Sequence, residues 1–187
     1  KKFQKLKINI LEFGIHFGAS QAAFSKYFSD SEIIGVDKNP YFKKFFSKNI
    51  RSLYCDVSDK YSLHLLGEYL KEDIDIIIDD ASHIPDHQLK TFSQMFKILK
   101  SKGIYVIEEL DIFQSFPESY NKNLDNSKSE IRNFLYQVKD KSPDIERTVK
   151  NKEVLSLVEN IEWVKILRGN YVVNNKNVSE IAFIKKK

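Results

Sequence analysis

Ile74-Asp75-Ile76-Ile77-Ile78 runs straight into Asp79-Asp80-Ala81-Ser82-His83. The first half is nearly all isoleucine, so it has no polar face. That is the pattern of a strand covered on both sides, as in parallel sheets whose crossover helices lie on each face. The second half is polar or small and reads as the loop that leaves the strand.

Working outward, strand-like and helical segments alternate. Toward the N-terminus, Ile8 to Phe13 reads as a strand, followed by a glycine-bearing turn and a helix over Ala19 to Phe28. Strand Ile33 to Val36, a short helix Tyr41 to Ser47, strand Arg51 to Tyr54 and helix Lys60 to Lys71 come next. Toward the C-terminus, Leu89, Phe92, Phe96 and Leu99 share one face of a helix over Ile84 to Leu99. Gly103 then breaks the pattern before strand Ile104 to Ile107. Five strands alternating with helices imply right-handed crossovers and an α/β, doubly wound, mostly parallel sheet. Residues 111–129 are polar and irregular, which suits a substrate lid or flexible loop. Helices follow over Glu130 to Val138 and Glu153 to Glu159. Strand-like runs follow at Ile161 to Leu167, Tyr171 to Val173 and Ile181 to Ile184. Two of these runs complete a seven-stranded sheet as a terminal antiparallel hairpin, in one domain spanning 1–187.

The bulk properties narrow the class. With 42% hydrophobic and 30% charged residues in 187, the chain has the composition of a globular domain, not a disordered one. The one cysteine, Cys55, excludes an internal disulfide and fits a reducing, cytoplasmic compartment. No apolar run approaches the roughly 20 residues that span a bilayer. No secretory signal is evident, and a start at Lys1-Lys2 fits a trimmed chain or one domain of a longer protein. The net charge of +4 comes with lysines crowded at both ends and no basic stripe within the fold. Solvated termini explain it, and neither nucleic acid nor membrane is expected as a partner.

Leu11-Glu12-Phe13-Gly14-Ile15-His16-Phe17-Gly18 lies where the first strand meets the first helix. Glycine there lets the backbone approach a ligand, and the helix N-terminus offers free N–H groups. The Gly-x-x-x-Gly spacing differs from the Gly-x-Gly-x-x-Gly of dinucleotide folds. Asp37 ends the second strand, where an acid can accept from both ribose hydroxyls. Asp56 ends the third, where its carboxylate can take an adenine amino group. Each acid alone reads as a solvated loop residue or a cap. Together they mark the carboxyl edge of the sheet, where such folds bind ligands.

The same edge carries Asp79, Asp80 and His83 after the fourth strand and Glu108-Glu109 after the fifth. Carboxylates gathered there raise one another's pKa, and a divalent cation such as Mg²⁺ resolves the conflict with oxygen ligands. The plainer alternative is that Asp80 and Ser82 cap the following helix. His83 and His87, four apart, could also bind Zn²⁺ as a pair, although no third soft ligand accompanies them.

The strand-one Glu-x-Gly-x-x-x-Gly and the strand-two acid resemble class I S-adenosylmethionine methyltransferases. Asp79 to His83 and Glu108-Glu109-Leu110 are similar to the Asp-Asp-Gly-Ser-His and Glu-Asp-Leu motifs of a narrower group. This is the metal-dependent sugar O-methyltransferases of macrolide biosynthesis, with the related cephalosporin-hydroxylase family. The departures are Ala81 for Gly, Glu109 for Asp, and Asp111-Ile112-Phe113 in place of Thr-Ser-Tyr. The resemblance implies S-adenosylmethionine contacts at Glu12, Gly14, Gly18, Ser20, Asp37, Asp56 and Asp79. It implies Mg²⁺ ligation by Asp80, Glu108 and Glu109, with His83 as general base. It further implies a small-molecule or glycan acceptor and leaves a homo-oligomeric assembly open. Two other readings compete: a non-catalytic domain of the same fold, and an NAD-dependent oxidoreductase. The glycine spacing and the lack of a Tyr-x-x-x-Lys pair oppose the latter.

Overall fold

The computed structural model describes residues 6–42, 44–71, 73–112, 129–170, 172, 173, 176, 177 and 180–187. The strands are β1 (Asn9–Phe13), β2 (Glu32–Asp37), β3 (Ile50–Tyr54), β4 (Ile74–Asp79), β5 (Leu99–Ile107), β6 (Ile161–Arg168), β7 (Val172–Val173), β8 (Lys176–Asn177) and β9 (Glu180–Lys186). The main sheet has the order β3-β2-β1-β4-β5-β9-β6, while β7 and β8 pair apart from it. Strands β1 to β5 run parallel, and β9 enters antiparallel between β5 and β6. The expected seven-stranded sheet with a terminal antiparallel pair is present.

Alternation along the strands divides the apolar residues between two faces. Leu11, Phe13, Ile34, Val36, Ile77, Tyr105 and Ile107 join one core with α2 (Lys60–Leu70), α3 (Pro85–Met95) and α4 (Glu130–Lys139). Helix α1 (Ala19–Tyr27) packs against β2. Two short helices, α5 (Ile145–Thr148) and α6 (Lys152–Leu155), lead back into β6.

The strand order reverses between β1 and β4, which opens a crevice at their carboxyl ends. Phe13 pairs with Asp79, and Asp79 with Ile107. The next residues, Gly14, Asp80 and Glu108, therefore leave the sheet side by side. Backbone bonds hold this step: Asp80 N–H donates to Phe13 O at 3.0 Å, and Glu108 N–H to Asp79 O at 3.0 Å.

Two expectations about helices are corrected. The helix over Tyr41 to Ser47 reduces to a single 3₁₀ turn, Pro40–Phe42. Phe46 is 80% exposed and gives such a helix no apolar face to bury. The long helix to Leu99 stops at Met95, a 3₁₀ turn follows, and β5 starts at Leu99. Gly103 accordingly lies within the strand, beside the register shift opposite β4, where a Cβ would collide with the Leu99 side chain. Of the lid or loop expected over 111–129, residues 113–128 lie outside the described residues.

Candidate active site

The glycine loop after β1 sits over the crevice in left-handed backbone: Gly14 at φ +92°, His16 at +45° and Gly18 at +82°. The Asp37 carboxylate shapes it, with Oδ2 accepting from Ile15 N–H at 2.9 Å and His16 N–H at 3.4 Å. Its Oδ1 accepts from Asn39 N–H at 2.8 Å. Gly18 is the residue before α1, and Ser20 and Gln21 in the first turn stand beside Glu12. A cavity of about 240 Å³ opens between this loop and the next two strand ends, lined by Gly14, Asp37, Asp56, Ser58, Ser82 and His87 among others.

At Gly14 the geometry excludes any side chain. Its φ favours glycine, and an added methyl would run into the Asp80 carbonyl of the neighbouring loop. Gly14→Ala is expected to lower stability by about 2 kcal/mol or more, because strain and collision act together. Urea unfolding measures this, and an unchanged midpoint would contradict the placement.

Beyond the cavity the acids crowd together. Burial, followed by Glu108, Glu109 and Glu12, pushes the Asp80 carboxyl up to about 7. Glu12 is 2% exposed, and one carboxylate oxygen has no hydrogen-bond partner among the described residues. Burial drives it to about 7, against the pull of Ser20 and Gln21. Burial and Glu109 raise Glu108 as well. His83 stands among them, its Nε2 3.3 Å from Glu109 Oε2 and 3.8 Å from Asp80 Oδ1. Burial holds this imidazole below its ordinary range, while Glu109 pulls it up. His83 and Glu109 both adopt left-handed backbone, at φ +55° and +52°. Such conformations cost about 1–2 kcal/mol each outside glycine and persist where surroundings enforce them.

The capping alternative does not account for these residues. Helix α3 begins with Pro85 at its first position and has no side-chain cap; Ser82 Oγ only accepts a long bond, 3.4 Å, from Ile84 N–H. The Zn²⁺ pair does not form either. His83 lies before the helix and faces carboxylates, whereas His87 Nδ1 is 2.9 Å from Ser82 Oγ.

The donor set suits a hard divalent cation. Its atoms are carboxylate oxygens, and their mutual repulsion is what such a charge relieves. The set is not closed, since among the described residues no three His, Cys, Asp or Glu side chains already form a metal-binding group. Glu109 is turned toward His83 instead.

The structure brings Glu12, Ser20, Asp80, His83, Glu108 and Glu109 to one end of the crevice and Asp37 and Asp56 to the other, with Gly14 between them. Asp79 stands apart from both groups. It is 2% exposed beneath the turn, accepts from Ala81 N–H, and adds to the effect of burial in raising the Tyr105 phenol. Burial pushes its own carboxyl up to about 7. A place under the loop, supporting it, fits better than ligand contact.

Sequence reasoning missed Gln88. It is 1% exposed on α3, and its Nε2 donates to Glu108 O at 3.0 Å, pinning the acid's backbone. The available signal was a glutamine on the buried side of an amphipathic helix.

This strand order, with a glycine loop after β1 and acids at successive strand ends, is the class I methyltransferase fold. No family model matches the chain. Among curated relatives, 8-demethyl-8-alpha-L-rhamnosyl tetracenomycin-C 2'-O-methyltransferase of Streptomyces olivaceus is 34% identical over 93 residues, covering 50% of this chain and 24% of that protein. L-olivosyl-oleandolide 3-O-methyltransferase of Streptomyces antibioticus is 32% identical over 120 residues, covering 60% and 30%. The MycE methyltransferase from the mycinamycin pathway, solved with Mg, SAH and mycinamycin VI, superposes with a TM-score of 0.68 at 20% identity. That match covers 99% of this chain and 46% of MycE. An O-methyltransferase from Bacillus cereus, solved with SAH, gives 0.60 at 15% identity, covering 96% and 74%. The alignments thus span less than a third of either curated relative, and this chain corresponds to about half of MycE.

Proposed function

We propose that this chain is a single methyltransferase domain, the catalytic part of a Mg²⁺-assisted O-methyltransferase that uses S-adenosylmethionine to methylate a sugar or other polyol hydroxyl. The observation that carries the reading is His83 set between Asp80 and Glu109, beside a nucleoside-sized cavity. Similarity to methyltransferases named for rhamnosyl and olivosyl substrates supports a small glycoside as acceptor. Among the described residues no helix is long and apolar enough to cross a membrane. The single, buried, free Cys55 supports a reducing, cytoplasmic setting.

Asp37, Asp56 and the Gly14 to Gly18 loop would hold the nucleoside, with Glu12 and Ser20 toward the amino-acid end. Asp80 and Glu108 would hold Mg²⁺, which Glu109 would join only by turning from His83, and the ion when bound would lower the pKa of a hydroxyl on it. His83, whose imidazole burial holds below its ordinary range, would accept the hydroxyl proton as the oxygen attacks the methyl carbon. The cofactor, once bound, would supply the methyl carbon and take the carbon–sulfur electron pair onto sulfur, leaving a methyl ether and S-adenosylhomocysteine (SAH). Glu109 then faces the imidazolium that His83 has become and stabilises it. The fold's share is alignment of oxygen, carbon and sulfur.

His83→Ala is expected to lower turnover on a rhamnosyl or olivosyl glycoside by about 10²- to 10⁴-fold. SAH affinity measured by calorimetry should stay within about threefold, since His83 does not line the nucleoside cavity. Retained turnover would remove His83 from the chemistry. Failure of the wild-type chain to bind SAH would favour the non-catalytic reading.

A further inference from the structure

The positive charge of the chain is not confined to its ends. Between Asp37 and Asp56 the sequence has no acidic residue, while Lys38, Lys44 and Lys48 stand exposed in the loop that joins β2 to β3. The two flanking carboxylates are engaged elsewhere. Asp37 accepts from the glycine loop and from Asn39, and Asp56 accepts from Ser58 N–H at 2.9 Å and Oγ–H at 2.7 Å. Within the loop no carboxylate offsets the lysines.

The same loop carries aromatic rings that the fold does not bury. Tyr41 is 94% exposed, Phe46 80% and Phe45 46%, and Phe17 of the neighbouring glycine loop is 42% exposed. Together these rings present on the order of 500 Å² to solvent, a size at which surface patches tend to mark a binding site. The two loops are tied to each other. Lys44 N–H donates to Phe17 O at 3.0 Å, and the Lys44 ammonium lies 4.4 Å from the Phe17 ring centroid. Rings and ammonium groups thus share one exposed face at the carboxyl edge of the sheet.

That combination discriminates among partners. A second copy of the same face would set lysine against lysine, which disfavours self-association through it. A single-stranded nucleic acid needs rings laid open to successive bases, and Phe17 is already covered by Lys44. A bilayer interface meets both features at once: Phe and Tyr rings sit at the acyl boundary, and anionic headgroups above them attract ammonium groups. We propose, against the expectation drawn from the lysines at the termini, that Lys38, Tyr41, Lys44, Phe45, Phe46 and Lys48 form a peripheral docking site for an anionic lipid surface. Lys38 also lines the nucleoside cavity, so a docked chain holds the mouth of that cavity near the headgroups. Docking of this kind requires no methyl transfer and is read without cofactor.

The test is sedimentation of the full chain with vesicles of phosphatidylcholine alone and of phosphatidylcholine with about 30% phosphatidylglycerol, whose anionic content sets the surface potential. The wild type should bind the anionic vesicles at least about tenfold more tightly and lose most of that preference between about 0.05 and 0.5 M salt. Lys44→Gln with Lys48→Gln should weaken binding to anionic vesicles about 20-fold, about fivefold for each charge. Phe45→Ser with Phe46→Ser should weaken it roughly tenfold and leave the salt dependence in place. Both double variants should unfold thermally at the wild-type midpoint. Tyr41→Ser, at a nearly fully exposed ring, gives a second aromatic reading if the Phe pair shifts that midpoint, with about a threefold loss expected. Wild type that sediments with neither vesicle, or variants that bind as tightly as wild type, would overturn the docking site. Tighter binding to single-stranded oligothymidylate than to anionic vesicles would assign the face to nucleic acid and overturn it as well.

Discussion

Asp80→Asn should lower turnover about 10³-fold at saturating Mg²⁺ while making the protein more resistant to unfolding. The two effects share one cause. Asp80 sits among Glu108, Glu109 and Glu12, and ionising it there costs free energy because the neighbouring charges have the same sign. Asparagine keeps the shape and removes the charge. The fold then gains about 1 kcal/mol, a figure kept low because the carboxylate is 42% exposed and partly screened by water. The chemistry loses an anionic oxygen from the edge where β4 and β5 present acids side by side. Removing one electrostatic contributor of this kind typically costs 10²- to 10³-fold. Thermal unfolding and a glycoside methylation assay on the same preparation give the answer. A variant that is both less stable and inactive would show Asp80 to be structural, and one with normal turnover would remove it from the site.

The opposed signs also explain how much of the site was legible beforehand. A fold does not gather four carboxyls at one edge for its own stability, so paired acids at neighbouring strand ends stood out against the caps and solvated loops around them. Ile74 to Ile78 disclosed the parallel sheet because burial on both faces removes alternation, and the positions of Gly14, Asp37 and Asp56 followed from strand ends. Boundaries inside apolar runs were less visible. Nothing in Phe96-Lys97-Ile98-Leu99 distinguishes the end of a helix from the start of a strand, since burial demands the same residue types in both. Polar residues that act through tertiary contact were hidden for a related reason. Glu180 carries no local sign of burial and only the packing of β9 turns it inward, while Gln88 shows only in its place on the buried side of α3. His87 was visible only as half of a metal pair, because its bond to Ser82 needs the turn before α3.

Glu180→Ala is expected to give the largest loss of stability, about 3–5 kcal/mol, which for a chain of this size lowers the melting temperature on the order of 10 °C. The Glu180 side chain is fully buried, and its partners are less so. Oε2 accepts from Arg132 Nε at 2.7 Å; Oε1 accepts from Arg132 Nη2 at 2.9 Å, Arg168 Nε at 2.6 Å and Tyr136 Oη at 2.8 Å. Burial alone would push this carboxyl up, but Arg132, Tyr136 and Arg168 together outweigh it and hold it below the ordinary range. A depressed acid contributes its stability above the unfolded-state pKa and loses it as pH falls through the folded one. Wild type should therefore lose this contribution on acidification below about pH 4.5, whereas Glu180→Gln should show a flatter acid limb. The same residue reaches the active site through its backbone. Its N–H donates to Asp111 Oδ1 at 3.0 Å, and its carbonyl accepts from Leu110 N–H at 3.0 Å, fixing the chain directly after Glu108-Glu109. Glu180→Ala at a temperature where it remains folded should consequently lose turnover while retaining SAH affinity, because Asp37, Asp56 and His87 lie at the other end of the crevice. If SAH binding and turnover fall in parallel, the network supports the sheet as a whole and has no separate hold on the acids.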